Sequence, residues 1–136
     1  MTSLVVPKNV SFVGEGVIAN CSGLTSIDVE NGNSNYNSDN KCNAIIETVK
    51  GILIGGCKNT IIPEGTTELD SRAFQGRLGL WEIIIPDRVS KIGYATFDGC
   101  TNLSSVKFGR SIAYIGGSAF ENCKNLVSVS YFTRFL

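Results

Sequence analysis

The sequence of 136 residues contains no histidine and carries little charge. Without histidine there is no imidazole to move protons, to complete a serine or cysteine triad of the usual kind, or to bind a metal ion. Charged residues make up 18% of the chain, below the roughly 25% usual in soluble domains. The 12 basic side chains are balanced by 12 acidic ones, so the chain lacks the basic surface that attracts nucleic acid. We therefore predict that the protein is not an enzyme and has no nucleic-acid partner.

Long hydrophobic runs are also missing. No apolar stretch approaches the roughly 18–20 residues that a membrane-spanning helix requires, so no span is predicted in this chain. Residues 1–7 lack a basic segment followed by a long apolar core, so no signal peptide is predicted either. The length suits one domain better than two, and we predict a single domain over residues 1–136.

Isoleucine, valine, glycine and asparagine are abundant, with 14, 11, 15 and 12 residues respectively. Side chains branched at Cβ suit the pleated surface of a strand. Glycine and asparagine tolerate the positive φ angles found in tight turns. This composition predicts short strands separated by turns.

The chain repeats itself every 23 residues. Two of its three prolines follow a pair of isoleucines, at residues 61–63 and 84–86, and apolar residues recur at the same step elsewhere. These columns are Phe74, Phe97 and Phe120; Leu80, Leu103 and Leu126; Ile83, Val106 and Val129; and Leu69, Ile92 and Ile115. The spacing Leu-x-x-Ile-x-Ile is that of a leucine-rich repeat, in which each unit adds one short parallel strand to a stack.

We therefore predict an α/β, strand-dominated leucine-rich-repeat solenoid of right-handed coil. Its short parallel strands stack once per 23-residue unit and are joined by short helical or 3-10 turns. One unit, about residues 30–62, is 33 residues long. Its two apolar runs, 43–48 and 52–56, are joined by a short loop ending in glycine and predict a β-hairpin. The glycine pairs 55–56 and 116–117 are interpreted as turns.

Residues 84–103 resemble a bacterial surface-antigen type of leucine-rich repeat, the BspA-like class. The resemblance rests on Pro86, Ile92, Phe97, Cys100 and Leu103, and residues 112–126 match almost as well. It extends over nearly the whole chain and implies an exported or surface-anchored recognition array of bacteria, in some members an adhesin. Three positions depart from the pattern, namely Asp70, Arg77 and Gly109, which stand where glycine, cysteine and proline are expected.

Outward-pointing strand positions are the candidates for partner binding. Trp81 is predicted to lie beside Ile61 and Ile84, with charged residues around them, and clusters of this kind anchor many protein contacts. The predicted binding residues are Lys58, Ile61, Trp81, Glu82, Ile84 and Lys107. We expect a protein or glycan partner. Two alternatives are that Trp81 only packs over its strand neighbours, and that the array is a spacer without a ligand.

Other chemical roles find less support. The asparagine-rich stretch 31–40 has too few carboxylates for a calcium loop, so neither metal nor cofactor is predicted. Glu82 and Asp87 as the carboxylate pair of a hydrolase is a remote alternative, since nothing positions a substrate. The five cysteines are expected to be reduced and mostly buried. A disulfide between Cys42 and Cys57 is the alternative.

The apolar tail suggests self-association. We expect an exposed apolar surface, through which open solenoid ends associate, to be formed by Phe132, Phe135 and Leu136. The chain reads as a segment of a longer array or as a short array without caps, because no distinct polar capping unit is visible at either end.

Overall fold

The computed structural model describes residues 1–131, which form a solenoid of short strands with almost no helix. The strands are β1 (Ser3–Val6), β2 (Ser26–Val29), β3 (Tyr36–Asn37), β4 (Ala44–Glu47), β5 (Ile52–Gly56), β6 (Glu68–Leu69), β7 (Glu82–Ile84), β8 (Lys91–Ile92), β9 (Ser105–Phe108), β10 (Tyr114–Ile115) and β11 (Ser128–Tyr131). A single 3-10 turn at Asp39–Lys41 is the one helical element in this range. The predicted self-association residues Phe132, Phe135 and Leu136 lie outside the described residues.

The regular units contribute strands to two columns. In the first column β7, β9 and β11 pair in parallel, and β1 pairs with β2 in the same way. In the second column β6, β8 and β10 pair in parallel. The register is one repeat throughout, since Glu82 stands opposite Ser105, and Ser105 opposite Ser128. The predicted strand-dominated solenoid of stacked 23-residue units is confirmed.

The short helical or 3-10 turns expected between the strands are not seen in the regular units of residues 1–131. Residues 94–100 and their counterparts form hydrogen-bonded turns rather than helical segments. Ala95 has a left-handed φ of 53°, and Arg72 and Ser118, one repeat away on either side, have φ of 62° and 57°. A residue in the left-handed region cannot continue a right-handed helix. No helix in residues 1–131 has the length and apolar character to cross a membrane.

The interior is built from side chains stacked one unit above another. The rings of Phe74 and Phe97 are parallel with centroids 5.2 Å apart, and those of Phe97 and Phe120 are 5.1 Å apart. Backbone hydrogen bonds also join each unit to the next. Phe74 N–H donates to Thr96 O at 2.9 Å, and one repeat later Phe97 N–H donates to Ala119 O at 2.7 Å. Each unit therefore buries its apolar residues only against its neighbours.

The long unit forms the predicted hairpin. β4 is antiparallel to β5 and to β3, while β5 pairs in parallel with β6, so the hairpin extends the second column. Gly55 and Gly56, interpreted from sequence as a turn, lie inside β5. The reason is close packing: a Cβ on Gly55 would lie 2.8 Å from Ile18 Cδ1, and one on Gly56 would lie 2.5 Å from Phe74 Cζ. Glycine in a strand commonly marks such close approach.

The hairpin divides the core into two clusters. Ala44 and Ile46 of β4 pack in one cluster with Phe74, whereas Ile45 packs in the other with Leu24. β5 divides in the same way, because Leu53 joins the first cluster and Ile54 the second. A strand buried on both faces has a continuous apolar run instead of an alternating pattern, which explains the composition of both runs.

The cysteines are free thiols. Cys42, Cys57 and Cys100 are buried, and Cys21 and Cys123 are partly exposed. No disulfide joins Cys42 to Cys57, which pack in different core clusters. Burial raises the pKa of the Cys100 thiol to about 12, and this thiol donates to Phe74 O at 3.1 Å.

Candidate functional site

All six predicted binding residues are exposed, and the outward positions that they occupy are here called the strand face. It consists of Lys58, Ile61, Trp81, Glu82, Ile84 and Lys107. The apolar members are well exposed, at 63% for Trp81, 77% for Ile61 and 63% for Ile84. Ile61, Ile84 and Lys107 each lie between two buried residues of the chain, whereas Trp81 and Glu82 are consecutive and both exposed.

Only three of the six line a common depression, here called the strand cleft. Its lining residues are Thr60, Ile61, Ile62, Glu64, Glu82, Ile83, Ile84 and Pro86, and its volume is about 280 Å³. Lys107 lies on β9, on the side of β7 away from the cleft, and its Cα is paired with that of Ile84. Trp81 and Lys58 are outside the lining, and the Lys58 side chain lies against Gly79. Glu64 and Thr60 are cleft residues that the repeat pattern did not single out.

The cleft exists because residues 59–62 are not a strand, although they carry the repeat pattern. Their hydrogen bonds go to earlier parts of the chain. Asn59 Nδ2 donates to Thr25 O at 2.9 Å, and Ile61 N–H donates to Cys42 O at 3.1 Å. Thr60 Oγ1 donates to Asn43 O. The long unit thus holds this segment on the side away from β7.

A comparison of equivalent positions shows where the ladder of the first column is interrupted. Thr25 N–H donates to Thr2 O at 2.8 Å, and Ser104 N–H donates to Trp81 O at 2.8 Å. Within residues 1–131, the corresponding bond from Trp81 N–H to Lys58 O is absent, as is any backbone bond from β7 to residues 59–62. β7 is therefore bonded on one side, to β9, and open on the other.

The open side of β7 presents the backbone groups of two residues. Successive residues of a strand direct their N–H and C=O groups to opposite sides. Trp81 O and Ile85 N–H bond to residues of the β9 unit, at 2.8 Å to Ser104 and 2.8 Å to Lys107 respectively. The N–H and C=O groups of Glu82 and Ile84 therefore point the other way, into the strand cleft.

The charged side chains that line the cleft are both carboxylates, those of Glu64 and Glu82. Asp87, considered from sequence as a partner of Glu82, binds Arg110 instead, with 3.5 Å between Oδ2 and Nε. In the part of the chain that the structure describes, no group of three or more histidine, cysteine, aspartate or glutamate residues is placed to hold a metal ion.

A larger cavity of about 660 Å³ lies along the asparagine-rich loop of the long unit, between residues 28 and 41. The polar groups of this loop bind the protein itself. Asn33 Nδ2 donates to Pro7 O and Val10 O, both at 3.0 Å, and Asn33 Oδ1 accepts from Asn35 N–H and Tyr36 N–H. Ser38 Oγ donates to Asp28 Oδ1 at 3.0 Å. The loop side chains thus fix the long unit to the preceding ones.

The comparisons with known proteins agree with this architecture. A family model described as the BspA type leucine rich repeat region matches residues 1–55 and 55–135 in six copies. A solved leucine-rich repeat protein from Eubacterium ventriosum is 19% identical, with a TM-score of 0.52 over 95% of this chain and 48% of that one. At this identity the likeness shows the fold alone.

Two further solved structures are similar at lower scores. A leucine rich cell surface protein from Faecalibacterium prausnitzii is 19% identical, with a TM-score of 0.47 over 98% of this chain and 48% of that one. The pneumococcal vaccine antigen PcpA is 19% identical, with a TM-score of 0.47 over 96% of this chain and 45% of that one. The chain spans about half the length of these proteins. A search of curated proteins found no match.

Proposed function

This chain belongs to the BspA-type leucine-rich repeat family, and from that membership we propose that it is a non-catalytic recognition module of a bacterial surface or secreted protein. The module binds a protein or glycan partner through the strand face. Stacked solenoids commonly use a sheet of this kind as an extended binding surface.

The observation that carries the proposal is the exposure of three apolar side chains, those of Ile61, Trp81 and Ile84. These three side chains are between 63% and 77% exposed, although they lie at the centre of the described residues and not at a loop tip. Tryptophan is enriched among the residues that dominate binding energy, and Lys58, Glu82 and Lys107 supply the polar margin that surrounds such residues in many interfaces.

Binding assays with purified protein test the proposal. Immobilised host matrix proteins and mucin glycans serve as the panel, and biolayer interferometry measures the affinity of the wild type and of Trp81→Ala. Truncation of a central interface tryptophan is expected to weaken binding to the responding panel member by at least about tenfold. Phe12→Ala is the matched control, since Phe12 is 80% exposed on the loop between β1 and β2.

Two outcomes contradict the proposal in different ways. Equal affinities of the wild type and Trp81→Ala, for a panel member that does bind, remove Trp81 from the interface. Absence of binding across the whole panel favours the alternative function, a spacer that displays other domains and has no ligand of its own.

A further inference from the structure

We propose that the strand cleft binds an extended segment of a partner protein, which adds to β7 as a new parallel or antiparallel strand and places a lysine or arginine side chain between Glu64 and Glu82. This inference rests on the proposed function, because it names the class of partner for the same face. A glycan lacks the backbone N–H and C=O groups on which the inference depends.

The first argument is the open edge of β7. The N–H and C=O groups of Glu82 and Ile84 point into the cleft. In the described part of the chain, residues 1–131, no backbone hydrogen bond joins them to residues 59–62. Unpaired strand edges are templates for pairing with another chain. Peptides recognised in this way gain affinity from main-chain hydrogen bonds and specificity from alternate side chains.

The second argument is the opposite wall of the cleft. The segment 59–62 bonds to Cys42, Asn43 and Thr25 and not to β7, so it leaves this edge of β7 uncovered.

The third argument is the chemistry of the lining. Ile61 and Ile84 project from the two walls and are exposed, at 77% and 63%. Glu64 and Glu82 are the charged residues of the lining, and both are negative. Complementary charge gives specificity and a faster association rate. The occupant that fits is an extended segment in which basic side chains alternate with small apolar ones.

A synthetic hexapeptide of alternating lysine and valine, blocked at both ends, is the probe. Residue-resolved hydrogen exchange by NMR follows the full chain with and without the peptide at physiological salt. The amides of Glu82 and Ile84 are expected to exchange rapidly in the free protein and at least about tenfold more slowly when the peptide is bound. The Ile83 amide, which faces β9, is the internal control and is expected to remain unchanged.

A second peptide separates strand addition from charge attraction. Three lysines followed by three valines have the same charge and composition but place basic side chains on both faces of the extended peptide. Its affinity is expected to be at least about tenfold lower. Equal affinity for the two peptides, or binding without protection of Glu82 and Ile84, means attraction to carboxylates only and overturns the inference.

Protein variants test the same contacts. Glu64→Lys and Glu82→Lys are expected to weaken binding of the alternating peptide by at least about tenfold each. Glu121→Lys makes the same charge change at an exposed position outside the cleft and is expected to have little effect. If the panel member binds in a Trp81-dependent way but the alternating peptide does not bind, this inference is overturned and the proposed function remains. If neither the panel nor the peptide binds, both the inference and the proposed function are overturned.

Discussion

At the scale of single residues, Arg77 is the least regular feature of the interior. It occupies the column where the repeat pattern has cysteine, and its exposure is 0%. Its guanidinium donates to Gly56 O at 2.7 Å, to Ile18 O at 2.6 Å and to Gln75 O at 3.2 Å. Removal from water lowers the Arg77 pKa. The side chain connects the hairpin, through β5, to the loop between β1 and β2.

Substitution of this side chain measures the value of that connection. Arg77→Met is expected to lower the free energy of unfolding by about 2–4 kcal/mol, because buried carbonyl groups of Gly56 and Ile18 lose their donors. Urea denaturation of the wild type and the variant gives the difference. Arg88→Met, at an exposed position, is the control and is expected to change it by less than about 0.5 kcal/mol.

An Arg77→Met variant as stable as the wild type, or more stable, contradicts this account. In that case the cost of removing the guanidinium from water equals or exceeds the benefit of its three hydrogen bonds, as can happen when a buried charge is replaced by an apolar side chain of similar volume.

At the scale of elements, the regular units were predictable from sequence because one spacing determines each of them. The step of 23 residues between Ile83, Val106 and Val129 gives the register that the structure shows. The turns were less predictable. Whether a six-residue connection forms a helical turn depends on one left-handed residue, and Ala95 in that conformation cannot be inferred from its identity, since alanine favours a right-handed helix.

The strand cleft was not predictable, although its lining residues were partly anticipated. Residues 61–63 have the same Ile-Ile-Pro sequence as residues 84–86. The repeat pattern alone therefore predicts that each segment ends a paired strand just before a turn. The difference arises from competition, because Cys42 and Asn43 of the long unit accept hydrogen bonds from Ile61 and Thr60. Such competition depends on how the long unit folds back, which a repeat pattern does not contain.

The packing of the hairpin against the core requires a glycine at residue 56. Gly56→Ala is expected to lower the free energy of unfolding by about 1–3 kcal/mol, because the added methyl group overlaps the Phe74 ring and forces a shift in a packed core. A Cβ there would lie 2.5 Å from Phe74 Cζ. Thermal or urea denaturation measures the effect, with Gly65→Ala as the control, since no atom lies within 4 Å of a Cβ at Gly65.

A Gly56→Ala variant with unchanged stability shows that Phe74 can move without cost. That result contradicts the explanation of why glycine, and not a β-branched residue, stands at this position in β5.

At the scale of the whole molecule, burial depends on how many neighbouring units a residue has. Ile83 and Val106 are 4% and 0% exposed, whereas Val129, at the same position of the repeat, is 46% exposed. The second column behaves alike, because Ile92 is 0% exposed and Ile115 is 44% exposed. Within the described residues, Val129 and Ile115 have a stacked neighbour on one side only. Stability in such an array is approximately a sum of unit and interface contributions.

This dependence predicts unequal costs for the same substitution at equivalent positions. Phe97 stacks between Phe74 and Phe120 and is 0% exposed, whereas Phe120 is partly buried. Phe97→Ala is expected to cost about 3–5 kcal/mol, and Phe120→Ala less than about half of that. Urea denaturation compares the two, and the pair Phe97→Leu and Phe120→Leu supplies a milder comparison if alanine at residue 97 prevents folding. Equal costs mean that each unit is stable on its own, and the stacked interior is then not what holds the solenoid together.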